Sequence, residues 1–131
     1  MAIPSGSGTE VLSSSIIRAL SNTATAFRWD GTTATTGTST GADYDVPANH
    51  IITVLSITFC CTSADSELLS LWINDGSADV ELFRNQTLNT SETFVFNDKL
   101  ILLPGYFLRT QTSSAADVDC YCSYIDQNWE D

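Results

Sequence analysis

Apolar residues fall in short runs along this chain, alternate with polar ones at every second position, and stop at turn residues, as half-buried β-strands do. The longest run is Ile51 to Cys61. A regular strand there puts Ile51, Thr53, Leu55, Ile57, Phe59 and Cys61 on one face and Ile52, Val54, Ser56, Thr58 and Cys60 on the other. After a polar turn, Glu67 to Asn74 predicts a strand with Leu69, Leu71 and Ile73 on one side and Trp72 on the other. Asp75-Gly76 accepts the positive φ angles of a tight hairpin. The return strand Asp79 to Asn85 then directs Val80, Leu82 or Phe83 inward. Thr93 to Phe96, Leu100 to Leu103, Tyr106 to Gln111 and Val118 to Ile125 continue the pattern, and Pro47 and Pro104 stop the runs before them.

With Ile16 to Leu20 or Ala24 to Trp29 as a leading strand, the count is seven to nine. Strands so numerous, joined by short connections, predict an all-β fold: an antiparallel two-sheet β-sandwich, jelly-roll-like. No segment after residue 22 keeps a helical apolar stripe. The domain is expected over 15–126. Residues 1–14 are small and polar and read as a flexible N-terminal arm, and 127–131 as an acidic C-terminal tail. Thr32 to Thr40 has no large apolar residue and reads as a long loop or a polar edge hairpin.

Composition narrows the function. Five Lys and Arg face sixteen Asp and Glu in 131 residues, a net charge of −11. Nucleic acid or an anionic membrane is excluded as a partner, because phosphate binding needs clustered cations. No apolar run approaches the roughly 18 residues of a membrane-spanning helix. The first residues lack the basic start and apolar run of a secretory signal, so folding in a cytoplasm with reduced thiols is expected.

Candidate chemistry is sparse. His50 is the one histidine, in the corner Pro47-Ala48-Asn49-His50, and reads as an exposed turn residue without a nucleophile or further ligands. Cys120 and Cys122 share one strand face with Val118 and Tyr124, whereas Cys60 and Cys61 point to opposite faces. Three readings stay open for these thiols: small buried hydrophobes, one cross-strand disulfide of Cys61 with Cys120 or Cys122, or metal ligands. The acid pairs Asp43-x-Asp45 and Asp117-x-Asp119 read as a solvated rim. So does Asn74 to Asp79, which lacks the full ligand set of a calcium loop. The sequons at Asn85 and Asn89 read as accidents of Ser/Thr richness. No catalytic residue, metal site or cofactor is expected. The aromatics are the binding candidates: Trp72 on an outward strand face, Trp129 in the tail, and Trp29 and Tyr106 as further stacking groups.

Tyr44-Asp45-Val46-Pro47-Ala48 before a long apolar strand, then Leu71-Trp72-Ile73-Asn74-Asp75-Gly76, resembles a group of tailed-bacteriophage virion proteins over about residues 42–126. The chain departs from that pattern at Asn49-His50, and residues 1–41 have no counterpart. The resemblance implies a non-enzymatic virion β-sandwich, assembled in the host cytoplasm. It would be a capsid decoration (cement) protein, commonly a homotrimer, bound to the major capsid protein. A tail, baseplate or host-adhesion subunit beside a neighbouring tail protein is the alternative. Interaction residues expected on this reading are Ile3, Val11 and Leu12 of the arm, with Trp72 and Trp129. A carbohydrate-binding sandwich, stacking sugars on Trp72, Trp29 and Tyr106, is the reading from another class.

Overall fold

A computed structural model describes residues 9–20, 22–30, 33–35 (as backbone), 44–62, 64–113 and 118–128. The described residues hold strands and turns and no helix. In chain order the strands are β1 (Thr9–Leu20), β2 (Thr25–Ala26), β3 (Thr33–Thr35), β4 (His50–Cys61), β5 (Glu67–Asn74), β6 (Asp79–Leu88), β7 (Thr93–Phe96), β8 (Leu100–Leu102), β9 (Phe107–Thr112) and β10 (Val118–Asn128). Without the two-residue β2, the count is nine.

One sheet runs β3-β1-β10-β4-β7, with β8 also paired to β4; the other runs β2-β9-β5-β6. Except for the short parallel β1–β3 pair, every ladder is antiparallel. Leaving aside β3 and β8, each successive strand from β1 to β7 either crosses to the other sheet or forms a hairpin. The last two strands, β9 and β10, then insert between the first and the middle pairs. That interleaved order is the double Greek key of a jelly roll. The sequence expectation of an all-β jelly-roll-like sandwich is met.

Packing follows from the registers. Across the inner face of the β1 sheet, Ile17, Cys120, Phe59 and Phe94 form one row and Ser15, Cys122, Ile57 and Phe96 the next. From the facing sheet Phe83 reaches across, edge-on to Phe59 at 6.0 Å and to Phe94 at 5.4 Å between ring centroids. Leu69, Leu71, Leu88 and Leu108 complete the opposite wall. Thr110, fully buried, donates its hydroxyl to the Ser70 carbonyl at 2.8 Å, so its burial leaves no unmade hydrogen bond.

Two sequence expectations change here. The strict alternation expected for Ile51 to Cys61 does not hold. Ile52 and Val54 are buried at one end, Ile57, Phe59 and Cys61 at the other. The cause is a β-bulge: Tyr124 pairs with Val54 and Ser123 with Ser56, leaving Leu55 as an extra residue that turns the rest of the strand over. The arm expected over 1–14 is corrected over its second half. Residues 9–14 belong to β1 and pair continuously with β10, from Thr9↔Asn128 to Ser14↔Ser123. Hydrogen bonds to an unbroken β10 outweigh the low apolar content of that segment. Residues 1–8 and 129–131 lie outside the described residues.

Candidate interaction surfaces

Both motifs that carry the phage resemblance fold as corners. Tyr44 and Val46 are 4% and 2% exposed, and the Val46 backbone exchanges hydrogen bonds with Gly105 and Tyr106 at 2.9 Å each. This fixes the entry into β4 by burying the corner's two apolar side chains. At Asn74-Asp75-Gly76, the Asn74 carboxamide oxygen accepts from the Gly76 N–H, and Asp75 Oδ1 accepts from Ser77 and Ala78 N–H at 2.9 Å each. The Ala78 and Ser77 donors hold the Asp75 carboxyl below its ordinary value of 3.8. Gly76 sits at φ +95°, where a β-carbon would be strained. The acids that suggested a calcium loop therefore cap a turn.

The cysteines are free thiols. Burial pushes Cys120 well above its ordinary value and Cys122 up to about 12, so both remain protonated and unreactive at neutral pH. Cys61 is buried with its thiol 3.6 Å from the Asp65 carbonyl, whereas Cys60, on the opposite face, is half-buried. Among the described residues, no three His, Cys, Asp or Glu side chains converge as a metal site would require.

His50 is not an exposed turn residue. It opens β4 opposite Asn128, and its Nδ1 lies 2.6 Å from Asp126 Oδ1, both side chains about one-fifth exposed. That partner is 76 residues away, so only the β4–β10 register could have identified it.

The binding candidates separate into two places. Val11 (55% exposed) and Leu12 (72% exposed) lie near the start of β1. Thr9, where β1 begins, pairs with Asn128, where β10 ends; Ile3 and Trp129 lie outside the described residues. Trp72 is elsewhere, on the outer face of the second sheet, between Arg109 and Glu81 in register. It borders a groove of about 520 Å3 with Ser70, Arg84, Asn85 and Gln111. The Trp72 indole N–H is buried without a hydrogen-bond partner, while the Arg109 guanidinium stands 4.6 Å over the Phe107 ring. Trp29 is not a stacking group: it is 5% exposed and meets Tyr124 edge-on at 4.9 Å in the core. Tyr106 packs partly buried against the core. Of the three β6 residues that could point inward, Leu82 and Phe83 pack against the core, whereas Val80 is 55% exposed.

Sequence reasoning missed an apolar surface that runs across several strands. Cross-strand registers place Ile16, Tyr121, Thr58 and Val95 in one row on the outer face of the β1 sheet. Leu12, Ile125, Thr53 and Ile101 form a second row. Between the rows lie Ser14, Ser123 and Ser56. Leu12, Tyr121, Val95 and Ile101 are 48% to 72% exposed. No single strand displays this pattern; it exists only across the ladders.

No family model and no curated protein sequence matches the chain. Among solved structures it is similar to a protein of the virus-like particle of extra small virus from the giant freshwater prawn Macrobrachium rosenbergii. The identity is 8% and the TM-score 0.50, covering 100% of this chain and 86% of that one. It is equally similar to a protein of the disulfide-linked pili of Bacillus endospore appendages, at 11% identity and a TM-score of 0.52 over 99% and 97% of the two chains. At such identities the likeness is one of fold, and the fold they share with this chain is the jelly roll.

Proposed function

We propose that this protein is a non-enzymatic structural subunit of a virion that decorates a phage capsid from outside and stabilises the junctions between its coat subunits. The observation that supports this reading is that Val11 and Leu12 stand exposed near the start of β1, at one end of a jelly roll. Exposed apolar side chains grouped this way suit a protein partner, here the major capsid protein. The resemblance at Tyr44 to Ala48 and at Asn74 to Gly76 points to virion proteins, in which trimers are common. One jelly-roll neighbour comes from a virus-like particle. Repetition on a shell compensates for weak single contacts, because many copies dock at once.

The test is co-sedimentation of the purified protein with undecorated heads. Binding that is lost with Val11→Glu, or on removing residues 1–8, supports the reading; no binding to heads overturns it. Binding to isolated tails instead would establish the tail, baseplate or adhesion alternative. The groove beside Trp72 favours one further reading, a carbohydrate-binding module, and glycan-array binding abolished by Trp72→Ala would establish that one.

A further inference from the structure

The outer face of the β1-β10-β4-β7 sheet is poor in charge in a chain of net charge −11. Its five transverse rows can be read from the ladders. Asp119, Cys60 and Thr93 form the first, with Arg18 beside Asp119 at the β1 bulge. The Ile16–Tyr121–Thr58–Val95 row follows, then the three serines, then Leu12–Ile125–Thr53–Ile101, and last Glu10, Gln127 and Ile51. Arg18, Asp119 and Glu10 are the only Arg, Lys, Asp or Glu residues in these rows, and all three lie at the ends. Asp30, Asp45, Asp65, Asp75, Glu92 and Asp98 lie in turns between strands. Two copies that repel each other everywhere else meet least repulsion on this face.

We propose that this face binds the same face of a second copy of the chain, across a two-fold axis running along the serine row. Rotation about that axis sets β1 antiparallel on the second copy's β1 and exchanges the rows. Ile16 then faces Leu12, Tyr121 faces Ile125, Val95 faces Ile101, and Cys60 lies over Ile51. Arg18 of each copy meets Glu10 of the other, a pair of opposite charges made twice. Glu10 is already oriented, since its Oε1 accepts from the Gln127 side chain at 3.2 Å. The shapes fit as well. A cavity of about 300 Å3 opens beside Ile16, Thr58 and Tyr121, and Leu12, the most exposed large apolar side chain described, is the group delivered to it.

Strands about 4.8 Å apart and rows about 7 Å apart make each face on the order of 500 Å2. The pair therefore buries about 1,000 Å2 in total, the lower end of stable association. Association is accordingly concentration-dependent. An isologous contact of this kind gives even-numbered assemblies: dimers, or trimers joined in pairs. The contact does not depend on binding to a shell, so its test needs no particle.

The test is sedimentation equilibrium of the full chain from about 1 μM to about 1 mM, a span that brackets affinities of this class. The mass is expected to rise from 14.2 kDa toward an even multiple. Tyr121→Glu and, as a second variant on an edge strand, Val95→Glu each weaken association at least tenfold. Leu68→Glu, which puts the same charge on the other sheet's outer face, leaves it within about twofold, as a substitution outside the contact should. A monomer throughout overturns the proposal, as does a trimer alone, or equal weakening by all three variants. If the wild type stays monomeric and Tyr121→Glu instead abolishes binding to heads, the face belongs to the shell and the self-contact is refuted.

Discussion

On the outer face of the β1 sheet stand Leu12, Ile16, Tyr121, Ile125, Val95 and Ile101, with small Ser and Thr between them. The outer face of the β5 sheet carries Arg109, Trp72 and Glu81 in one row, with Asp79, Arg84, Asn85 and Gln111 around a groove. The inner faces of both sheets are apolar for the same reason, since they form one core. Nothing in folding requires the outer faces to differ. An antiparallel sheet can face water with mostly polar side chains, as the β5 sheet does apart from Leu68 and Trp72. A sheet that instead exposes apolar rows is suited to contact with protein. On the proposed account the β1 sheet makes the contact with protein, and the β5 sheet is left to solvent or to a small polar ligand.

The largest effect comes from the inner face that the two sheets share. Phe59 is fully buried, with Phe83 edge-on at 6.0 Å and Phe94 at 6.3 Å between ring centroids. Phe59→Ala should cost about 3–5 kcal/mol. That is a large part of a small domain's stability, and the urea midpoint should fall steeply. Deleting Leu55 instead leaves Val54 and Ser56 adjacent opposite Tyr124 and Ser123, a regular ladder with Ile52 and Val54 still inward, so cooperative unfolding should be kept. Loss of the cooperative transition on that deletion would mean that the bulge does more than take up one extra residue.

A smaller effect is expected from salt. Copies of net charge −11 repel each other outside the contact, so screening should help pairing. Raising salt from about 20 mM to about 500 mM shortens the screening length severalfold and should tighten self-association severalfold. Weakening by salt would indicate that the Arg18–Glu10 pairs dominate over the apolar rows.

The alternation of Glu67 to Asn74, the hairpin at Asp75-Gly76 and the shared face of Val118, Cys120, Cys122 and Tyr124 were all legible in the sequence, because each depends on near neighbours. The two-sheet class was legible for the same reason. The bulge at Leu55 was not. It is defined by which residues of β10 lie opposite, and a single strand carries no mark of it. The His50–Asp126 pair and the outer apolar rows escaped for the same cause, since they join residues far apart in sequence. Of the candidate residues, Trp72 was placed correctly on an outward face. Trp29 was not, because a tryptophan beside a turn looks alike whether its ring points into a core or away from it.

The smallest effect lies in the β5–β6 turn, on the polar side of the contrast. The Asp75 carboxyl is held below its ordinary value of 3.8 by the Ala78 and Ser77 N–H groups. A depressed carboxyl stabilises the fold above the unfolded value, and that contribution disappears as pH falls through the lower folded value. Asp75→Ala should therefore slightly lower the melting temperature at pH 7. It should also flatten the acid limb of the stability–pH curve below about 4, where an ordinary Asp titrates. Self-association should not change, and a change would tie this turn to the contact.

Cys60 offers the most direct reading of the β1-sheet face, because it lies within the proposed contact while Cys61, Cys120 and Cys122 are buried inside the sandwich. In dilute wild-type protein at neutral pH, one thiol, Cys60, should react with a maleimide, and all four should react in denaturant. At concentrations where copies pair, the Cys60 rate should fall at least tenfold. In Tyr121→Glu it should stay at the dilute value. A Cys60 rate that is the same at every protein concentration, in a sample whose mass shows association, would contradict the assignment of this face as the contact between copies.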